Sequence, residues 1–284
     1  MTFPKTQNPF DWITQSWNIL LGRITDVATD AWLLGPIGCV KEHSDDFIMR
    51  LASDKQLSIA VNAPGAGLME NMDEWPVAVG KKIEDFYLRT SVYHFEVRTA
   101  WKPVFGSLGY LIARMFSRRI QQLNLPGNTT NEPMEISSDI IQLLDDGGKV
   151  HYTIWRRSVR DTGEVVYFGI YTTCQIPSGE ICVKVIFPLP CGNATVIFRA
   201  ESYGNHKLLL DSSGKTYGDP GFYFLVEDCK GVLWKHFLPS FRERILVSEN
   251  DQGELTAEHT LKLWSFHVYR MVYSMTEGSQ STSA

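Results

Sequence analysis

Strand-like segments between residues 149 and 200 constrain the fold more than any other part of the sequence. They are rich in Val, Ile, Thr, Tyr, Phe and Trp, the residues enriched in β-strands, and turn residues separate them. Three or four consecutive strands at this spacing are typical of an antiparallel meander, because antiparallel neighbours need only a short turn between them. The segments are residues 149–159, 164–175, 180–187 and 194–200.

Further strand patterns flank this meander on both sides, and the last two form a hairpin around the turn at residues 251–253. An open sheet of roughly eight or nine strands would leave its edges and apolar faces exposed. The predicted fold class is therefore α+β, with a large curved antiparallel sheet or barrel-like β domain, helices packed on it and an N-terminal helical extension. The flanking segments are residues 91–101, 205–212, 222–226, 242–250 and 254–274.

Two segments have the period of an amphipathic helix. Apolar residues recur every three or four positions across residues 8–34 and again across residues 108–123. Parts of the meander are apolar on both faces, so we expect one face to meet the interior and the other to meet the N-terminal helices. The patterns divide the chain into an N-terminal helical extension (1–80), an antiparallel β-rich domain (81–275) and a disordered tail (276–284).

The charge and the cysteine and histidine patterns exclude several classes of protein. A net charge of −5 and a pI near 5.8 give no general attraction to nucleic acid. The five cysteines include no CxxC pair and the seven histidines no HxH, HExxH or HxxxH pair, so neither a disulfide framework nor a metal site is indicated. No apolar run reaches the roughly 18 residues of a membrane span. We therefore expect a cytoplasmic protein with no transmembrane segment, nucleic-acid partner, metal or other cofactor.

Polar residues embedded in predicted strands are the best indication of a functional site. No GxSxG nucleophile motif occurs. In a closed sheet some of these residues face the interior, where a few convergent polar groups orient an otherwise apolar ligand; the alternative is that they bond to one another or reach solvent at strand ends. His259 shares a strand face with Leu255, Ala257 and Leu261, so it is predicted to point inward. The candidate ligand-binding residues are Arg157, Tyr167, Tyr171, Asn193, Tyr223 and His259.

Two motifs in the second half of the chain indicate a family. The first is Ile-Phe-Pro-Leu-Pro-Cys-Gly-Asn-Ala-Thr-Val-Ile-Phe-Arg at residues 186–199, and the second is Gly-Asp-Pro-Gly-Phe-Tyr at residues 218–223. With the closing strand pattern at residues 255–273, they resemble the soluble C-terminal portion of YndJ-like proteins. That family is uncharacterised, so the resemblance implies no activity. The residues of this chain that the resemblance identifies as motif positions are Pro188, Pro190, Asn193, Gly218, Asp219 and Gly221.

The sequence supports three hypotheses for the function. The first is binding of a small apolar molecule or lipid in the interior of the curved sheet. The second is an enzyme of isomerase or cyclase type acting on a hydrophobic substrate, with His259 and either Asp219 or Tyr171 as acid and base. The third is a protein-interaction module whose tryptophan-rich N-terminal helix docks a partner. A cavity of roughly 300 Å³ or more with convergent polar groups would support the first two.

Overall fold

The structure, a computed structural model, describes residues 9–40, 42–69, 75, 77–101, 134–204 and 206–278. The helices in these ranges are α1 (Pro9–Leu21), α2 (Ser44–Lys55) and α3 (Lys81–Leu88), followed by a short 3-10 helix at Thr90–Val92. Of the described helices, none has the length and apolar character needed to span a membrane. The strands are β1 (Arg23–Ile24), β2 (Ser58–Val61), β3 (Tyr93–Trp101), β4 (Met134–Leu144), β5 (Val150–Val159), β6 (Val165–Gln175), β7 (Ile181–Leu189), β8 (Gly192–Ser202), β9 (Lys207–Asp211), β10 (Gly221–Glu227), β11 (Leu233–Phe237), β12 (Phe241–Glu249), β13 (Leu255–Leu263) and β14 (Phe266–Glu277).

Ten of these strands close into an antiparallel barrel. The order around the barrel is β8-β7-β6-β5-β4-β3-β14-β13-β12-β9, and β9 then pairs with β8, with Leu210 opposite Ala200. Strands β5 to β8 are the meander predicted from residues 149–200. The barrel confirms the prediction of a curved, barrel-like antiparallel domain. Closure gives every barrel strand a hydrogen-bonded neighbour on both sides, which an open sheet does not provide for its edge strands.

The remaining strands extend the same sheet outside the barrel. β10 pairs with the first part of β8, β11 pairs with β10, and β1 pairs with β11. β2 pairs with residues 141–144 of β4, beyond the point where β3 pairs with residues 134–136. The N-terminal residues therefore contribute two strands to the sheet as well as α1 and α2, so the predicted helical extension is helical only in part. The predicted division of the chain at residue 80 stays a prediction.

Alternation along the strands builds an apolar core inside the barrel. On β7 and β8, Val183 faces inward opposite Phe198, and Val185 faces inward opposite Val196. On β13, alternate residues from Leu255 to His259 are buried, and His259 is only 8% exposed. The inward direction predicted for His259 is confirmed.

Helix α3 closes the end of the barrel at which β3 begins. Its residues Ile83, Phe86 and Tyr87 are buried in the same core as the barrel wall. The ring of Phe86 meets Tyr93 and Phe95 of β3 edge to face, with centroids 5.3 and 6.1 Å away. Such aromatic pairs add about 0.5–1.5 kcal/mol each beyond the burial of their area. This end of the interior is therefore packed with apolar side chains.

Helix α2 covers the outer face of the meander. Phe47, Ile48 and Leu51 of the helix pack against Ile154 and Phe168, whose side chains point away from the barrel interior. The rings of Phe47 and Phe168 meet edge to face with centroids 5.8 Å apart. Fully burying a side chain of this size is worth about 1.5–3 kcal/mol. This packing is the physical reason why the strands of the meander are apolar on both faces, as expected.

The N-terminal helix is shorter than the predicted span of residues 8–34. α1 ends at Leu21, and the chain then runs beside β11 as β1. Gly22 approaches β11 so closely that a Cβ at this position would lie 2.7 Å from the carbonyl oxygen of Lys235. The buried Asp30 then forms an ion pair with the side chain of Lys235. Strand pairing and this ion pair outweigh the helical period of the segment after Leu21.

Three other predictions differ from the structure or lie outside it. The single strand predicted at residues 254–274 is two strands, β13 and β14, because the chain turns at Trp264, which has a left-handed φ of 54°. β4 is absent from the predicted strands, since its apolar and polar residues do not alternate strictly. The predicted helix at residues 108–123 lies outside the described residues. The predicted tail overlaps β14, which continues to Glu277, and residues 279–284 also lie outside the described part.

Candidate ligand-binding site

Polar side chains gather inside the barrel. The strand register pairs Arg157 of β5 with Tyr167 of β6, and both side chains are buried. Tyr269 and Tyr273 of β14 face inward beside His259 of β13. The seven residues described below as the polar cluster are Arg157, Tyr167, Tyr171, Glu243, His259, Tyr269 and Tyr273.

Two β-bulges lie beside residues of the polar cluster. In β6, Val166 has no partner on β5, and the next residue, Tyr167, pairs with Arg157. In β14, Val268 has no partner on β13, and the next residue, Tyr269, resumes the pairing. As a result, both members of each neighbouring pair, Val166 with Tyr167 and Val268 with Tyr269, belong to the interior core, whereas regular alternation places adjacent residues on opposite faces. Bulges of this kind are common at barrel rims and beside binding sites, where they change the direction of a side chain.

Arg157 is a buried cation in the polar cluster. The residue is 7% exposed, and its guanidinium carbon lies 4.3 Å from the ring centroid of Trp155, 3.9 Å from that of Tyr167 and 5.2 Å from that of Tyr273. Within the described part of the chain, no carboxylate lies within 4.0 Å of this guanidinium and its Nε has no hydrogen-bond acceptor. Burial alone lowers the pKa of Arg157, but the surrounding tyrosines outweigh it and the pKa lies above its ordinary value. The side chain therefore stays charged inside the barrel.

Tyr167 and Tyr171 present a pair of neutral hydroxyl groups next to Arg157. Their oxygens are 2.7 Å apart and share a hydrogen bond. Gly169, between them on the same face of β6, leaves room for this contact, because a Cβ there would lie 3.0 Å from the Tyr167 hydroxyl oxygen. Burial raises the pKa of Tyr171 to about 12 and raises the pKa of Tyr167 well above its ordinary value. Both hydroxyls are therefore protonated at neutral pH and able to donate.

His259 lies across the barrel with Tyr269 and Glu243. Its Nε2 is 3.4 Å from the Tyr269 hydroxyl oxygen and 3.4 Å from Oε2 of Glu243. Burial raises the pKa of Tyr269 well above its ordinary value, so this hydroxyl is also neutral. Both neighbours contact the same ring nitrogen, whereas a charge-relay arrangement places the carboxylate on one nitrogen and the reacting group on the other.

A small cleft opens beside Arg157, Tyr167 and Tyr273. Its volume is about 20 Å³, enough for about one water molecule. This volume is far below the roughly 300 Å³ of a typical small-molecule site, so a larger ligand requires the lining side chains to move. The apolar side chains that line the cleft are Val97, Met134, Ile136, Val166 and Met271.

Three of the predicted site residues lie outside the barrel interior. The amide nitrogen of Asn193 donates hydrogen bonds to backbone carbonyls of the segment that follows α1, including that of Gly35 at 3.3 Å. Tyr223 packs edge to face against Trp32 on the outside of the barrel, with ring centroids 5.4 Å apart. Asp219 caps its own turn, because its carboxylate accepts hydrogen bonds from two backbone N–H groups there. The structure places Arg157, Tyr167, Tyr171 and His259 in the barrel interior. It places Asn193, Tyr223 and Asp219 outside it.

Glu243, Tyr269 and Tyr273 belong to the polar cluster without being among the predicted site residues. Glu243 has a signal in the sequence, because a hairpin centred on the turn at residues 251–253 places it opposite Leu261, a residue predicted to face inward. The tyrosines of β14 have a weaker signal. Their face depends on where β14 begins, and the predicted single strand over β13 and β14 hides that boundary.

The described residues contain no group of three or more His, Cys, Asp or Glu side chains placed to hold a metal ion. Comparison of the chain with protein-family models, with curated proteins and with solved structures finds no match. A proposal for the function therefore has to be argued from the geometry of the barrel interior.

Proposed function

We propose that the barrel binds a small, mostly apolar molecule at the polar cluster. The observation that carries this proposal is Arg157, a residue that is 7% exposed and whose guanidinium lies close to aromatic rings and beside an apolar cleft. Burying an ion costs several kcal/mol even after the surroundings relax, and a polar group of a ligand offsets part of this cost. A few oriented polar groups within an apolar lining are the usual composition of a small-molecule site.

Two methionines of the cleft provide the adaptability that binding requires. Met134 and Met271 are unbranched, so their side chains change rotamer at low cost, and methionine is common on surfaces that adapt to different ligands. Met134 is the first residue of β4 and is only partly buried. We infer that the ligand enters beside Met134 by displacing its side chain.

Titration with the neutral fluorescent probe N-phenylnaphthylamine tests this proposal. We expect saturable binding of one probe molecule by the wild-type protein. Met134→Trp fills the entrance and weakens probe binding by about tenfold or more, a loss of about 1.4 kcal/mol. The matched control is Met49→Trp on α2, where Met49 is 64% exposed, and it leaves the affinity unchanged. Absence of saturable binding, or an equal loss in both variants, contradicts the proposal; thermal melts confirm that both variants fold.

The acid–base hypothesis has less support. It needs His259 to act with Asp219, which lies outside the barrel interior, or with Tyr171, whereas the contacts of His259 described above are with Tyr269 and Glu243. The interaction hypothesis is favoured by two observations, the small volume of the cleft, about 20 Å³, and the exposure of Trp12, Trp17 and Leu20 on α1 at 45%, 42% and 76%. The resemblance to YndJ-like proteins stays a prediction and carries no part of the proposed function.

A further inference from the structure

Arg157 and Glu243 lie on opposite walls of the barrel and do not pair. β5, which carries Arg157, and β12, which carries Glu243, stand on opposite sides of the ten-strand circle. The carboxylate of Glu243 contacts His259 instead, at 3.4 Å. The positive charge of Arg157 is therefore not neutralised by direct contact with a described carboxylate.

Three aromatic rings lie around the guanidinium of Arg157, those of Trp155, Tyr167 and Tyr273, and the side chain of Tyr273 also forms a hydrogen bond with it. A guanidinium has five N–H donors, more than this one partner takes up. The buried Nε has no acceptor among the described residues. In the Tyr167–Tyr171 pair one hydroxyl donates to the other, which leaves one O–H hydrogen to donate elsewhere. One N–H donor of Arg157 and one O–H hydrogen of the tyrosine pair thus lie next to an apolar cleft.

Building on the proposed function, we propose that the ligand is an amphiphile with a single carboxylate, which Arg157 and the Tyr167–Tyr171 pair bind inside the barrel. A carboxylate accepts from a guanidinium in a planar, two-bond geometry and balances its single charge. A phosphate would bring a second negative charge toward Glu243, for which the polar cluster has no further guanidinium or ammonium group. The apolar lining around Met134 and Met271 contacts the hydrocarbon body of the ligand.

Calorimetric titration with decanoate, decanol and decyl phosphate tests this inference. We expect wild-type protein to bind decanoate about ten- to a hundredfold more tightly than decanol, because hydrogen bonds to charged groups are worth about 1.5–3 kcal/mol. Decyl phosphate binds more weakly than decanoate. Arg157→Met lowers the affinity for decanoate to that for decanol and leaves decanol binding unchanged, and Arg157→Lys lies between because it keeps the charge but loses the two-bond geometry.

The neighbouring residue Arg156 provides the matched control. It points outward on the same strand and pairs with Asp139 at 3.0 Å and with Asp45 at 2.5 Å. Arg156→Met therefore leaves decanoate binding unchanged. Urea denaturation of each variant verifies folding, and the comparison of ligands on the wild-type protein decides the question even where a variant does not fold.

The possible outcomes separate this inference from the proposed function. Equal affinity of wild-type protein for decanoate and decanol, or undiminished decanoate binding by Arg157→Met, overturns the carboxylate inference and leaves the proposed function intact. Tighter binding of decyl phosphate than of decanoate overturns the choice of anion. Failure of the wild-type protein to bind any of these compounds or N-phenylnaphthylamine contradicts both.

Discussion

At the scale of single residues, Lys184 and Arg157 are both buried cations of the barrel wall, but their surroundings differ. Lys184 points outward from β7, is 4% exposed, and donates hydrogen bonds to the backbone carbonyls of Trp32 at 2.8 Å and Leu34 at 2.6 Å. The Nε of Arg157, on the inner face of β5, has no comparable acceptor among the described residues. The chain itself therefore compensates the burial of Lys184, whereas the burial of Arg157 is compensated only in part.

Lys184→Met gives a prediction about pH. Burial lowers the pKa of Lys184 from 10.5 to about 8 in the folded protein. Between these values the unfolded chain binds more protons than the folded protein, so the free energy of unfolding rises with pH across this window. Across this window, the free energy of unfolding of the wild-type protein rises by up to about 3 kcal/mol relative to that of Lys184→Met. The rise is smaller to the extent that the two carbonyls favour the charged form of Lys184. Urea denaturation of both proteins across the window measures this difference, and a flat or falling difference contradicts the prediction.

At the scale of elements, α1 packs on β10 and β11, outside the barrel, with the face opposite to the expected one. Gln15, Asn18 and Ile19 are buried, and the amide nitrogen of Gln15 donates to the carbonyl of Pro190 at 2.5 Å. Most of the apolar residues whose period predicts the helix remain exposed, including Leu20 at 76%. The helix is therefore held by specific hydrogen bonds and a narrow apolar contact, and its apolar face does not carry the packing.

Substitutions at adjacent positions of α1 test this packing. Ile19→Ala removes a side chain that is 3% exposed, so we expect a loss of about 2–4 kcal/mol in the free energy of unfolding. Leu20→Ala, at an exposed position, changes it by no more than about 0.5 kcal/mol. Chemical denaturation followed by circular dichroism measures both values. A larger loss for Leu20→Ala would mean that the apolar face is covered in the folded protein.

At the scale of the whole molecule, residues N-terminal to α2 pack against strands of the sheet. Leu33 is fully buried and packs with Ile197 of β8 and with Tyr223 and Leu225 of β10. β1 and β2 add hydrogen-bonded pairs to the same sheet. Because these contacts link residues 23–61 to strands later in the chain, we expect one cooperative unfolding unit.

Leu33→Ala tests this cooperativity. Loss of a fully buried leucine lowers the free energy of unfolding by about 2–5 kcal/mol. The expected result is that far-ultraviolet and near-ultraviolet circular dichroism report the same shifted transition. Val27→Ala serves as the control, since Val27 is 67% exposed. Two separate transitions in Leu33→Ala would indicate that the N-terminal residues unfold on their own, in agreement with the predicted division at residue 80.

Local patterns were sufficient to predict the parts of the fold that depend on neighbours in the chain. Period-two alternation and turn residues predicted the meander, β3 and the β12–β13 hairpin, because these features follow from strand geometry over a few residues. The same alternation predicted that His259 points inward. The helical period was misleading after Leu21, because pairing with β11 is a contact between residues about two hundred positions apart.

By itself, the sequence determined that this chain forms an antiparallel, barrel-like domain and that Arg157, Tyr167, Tyr171 and His259 are candidates for its interior. Only the tertiary structure decided that Asn193, Asp219 and Tyr223 lie outside it and that Glu243, Tyr269 and Tyr273 lie within. The physical reason is that a side chain's face depends on strand closure and on bulges, and its partners depend on residues that folding brings together. The separation of Arg157 from Glu243 is an example, because it follows from the position of β12 across the barrel from β5.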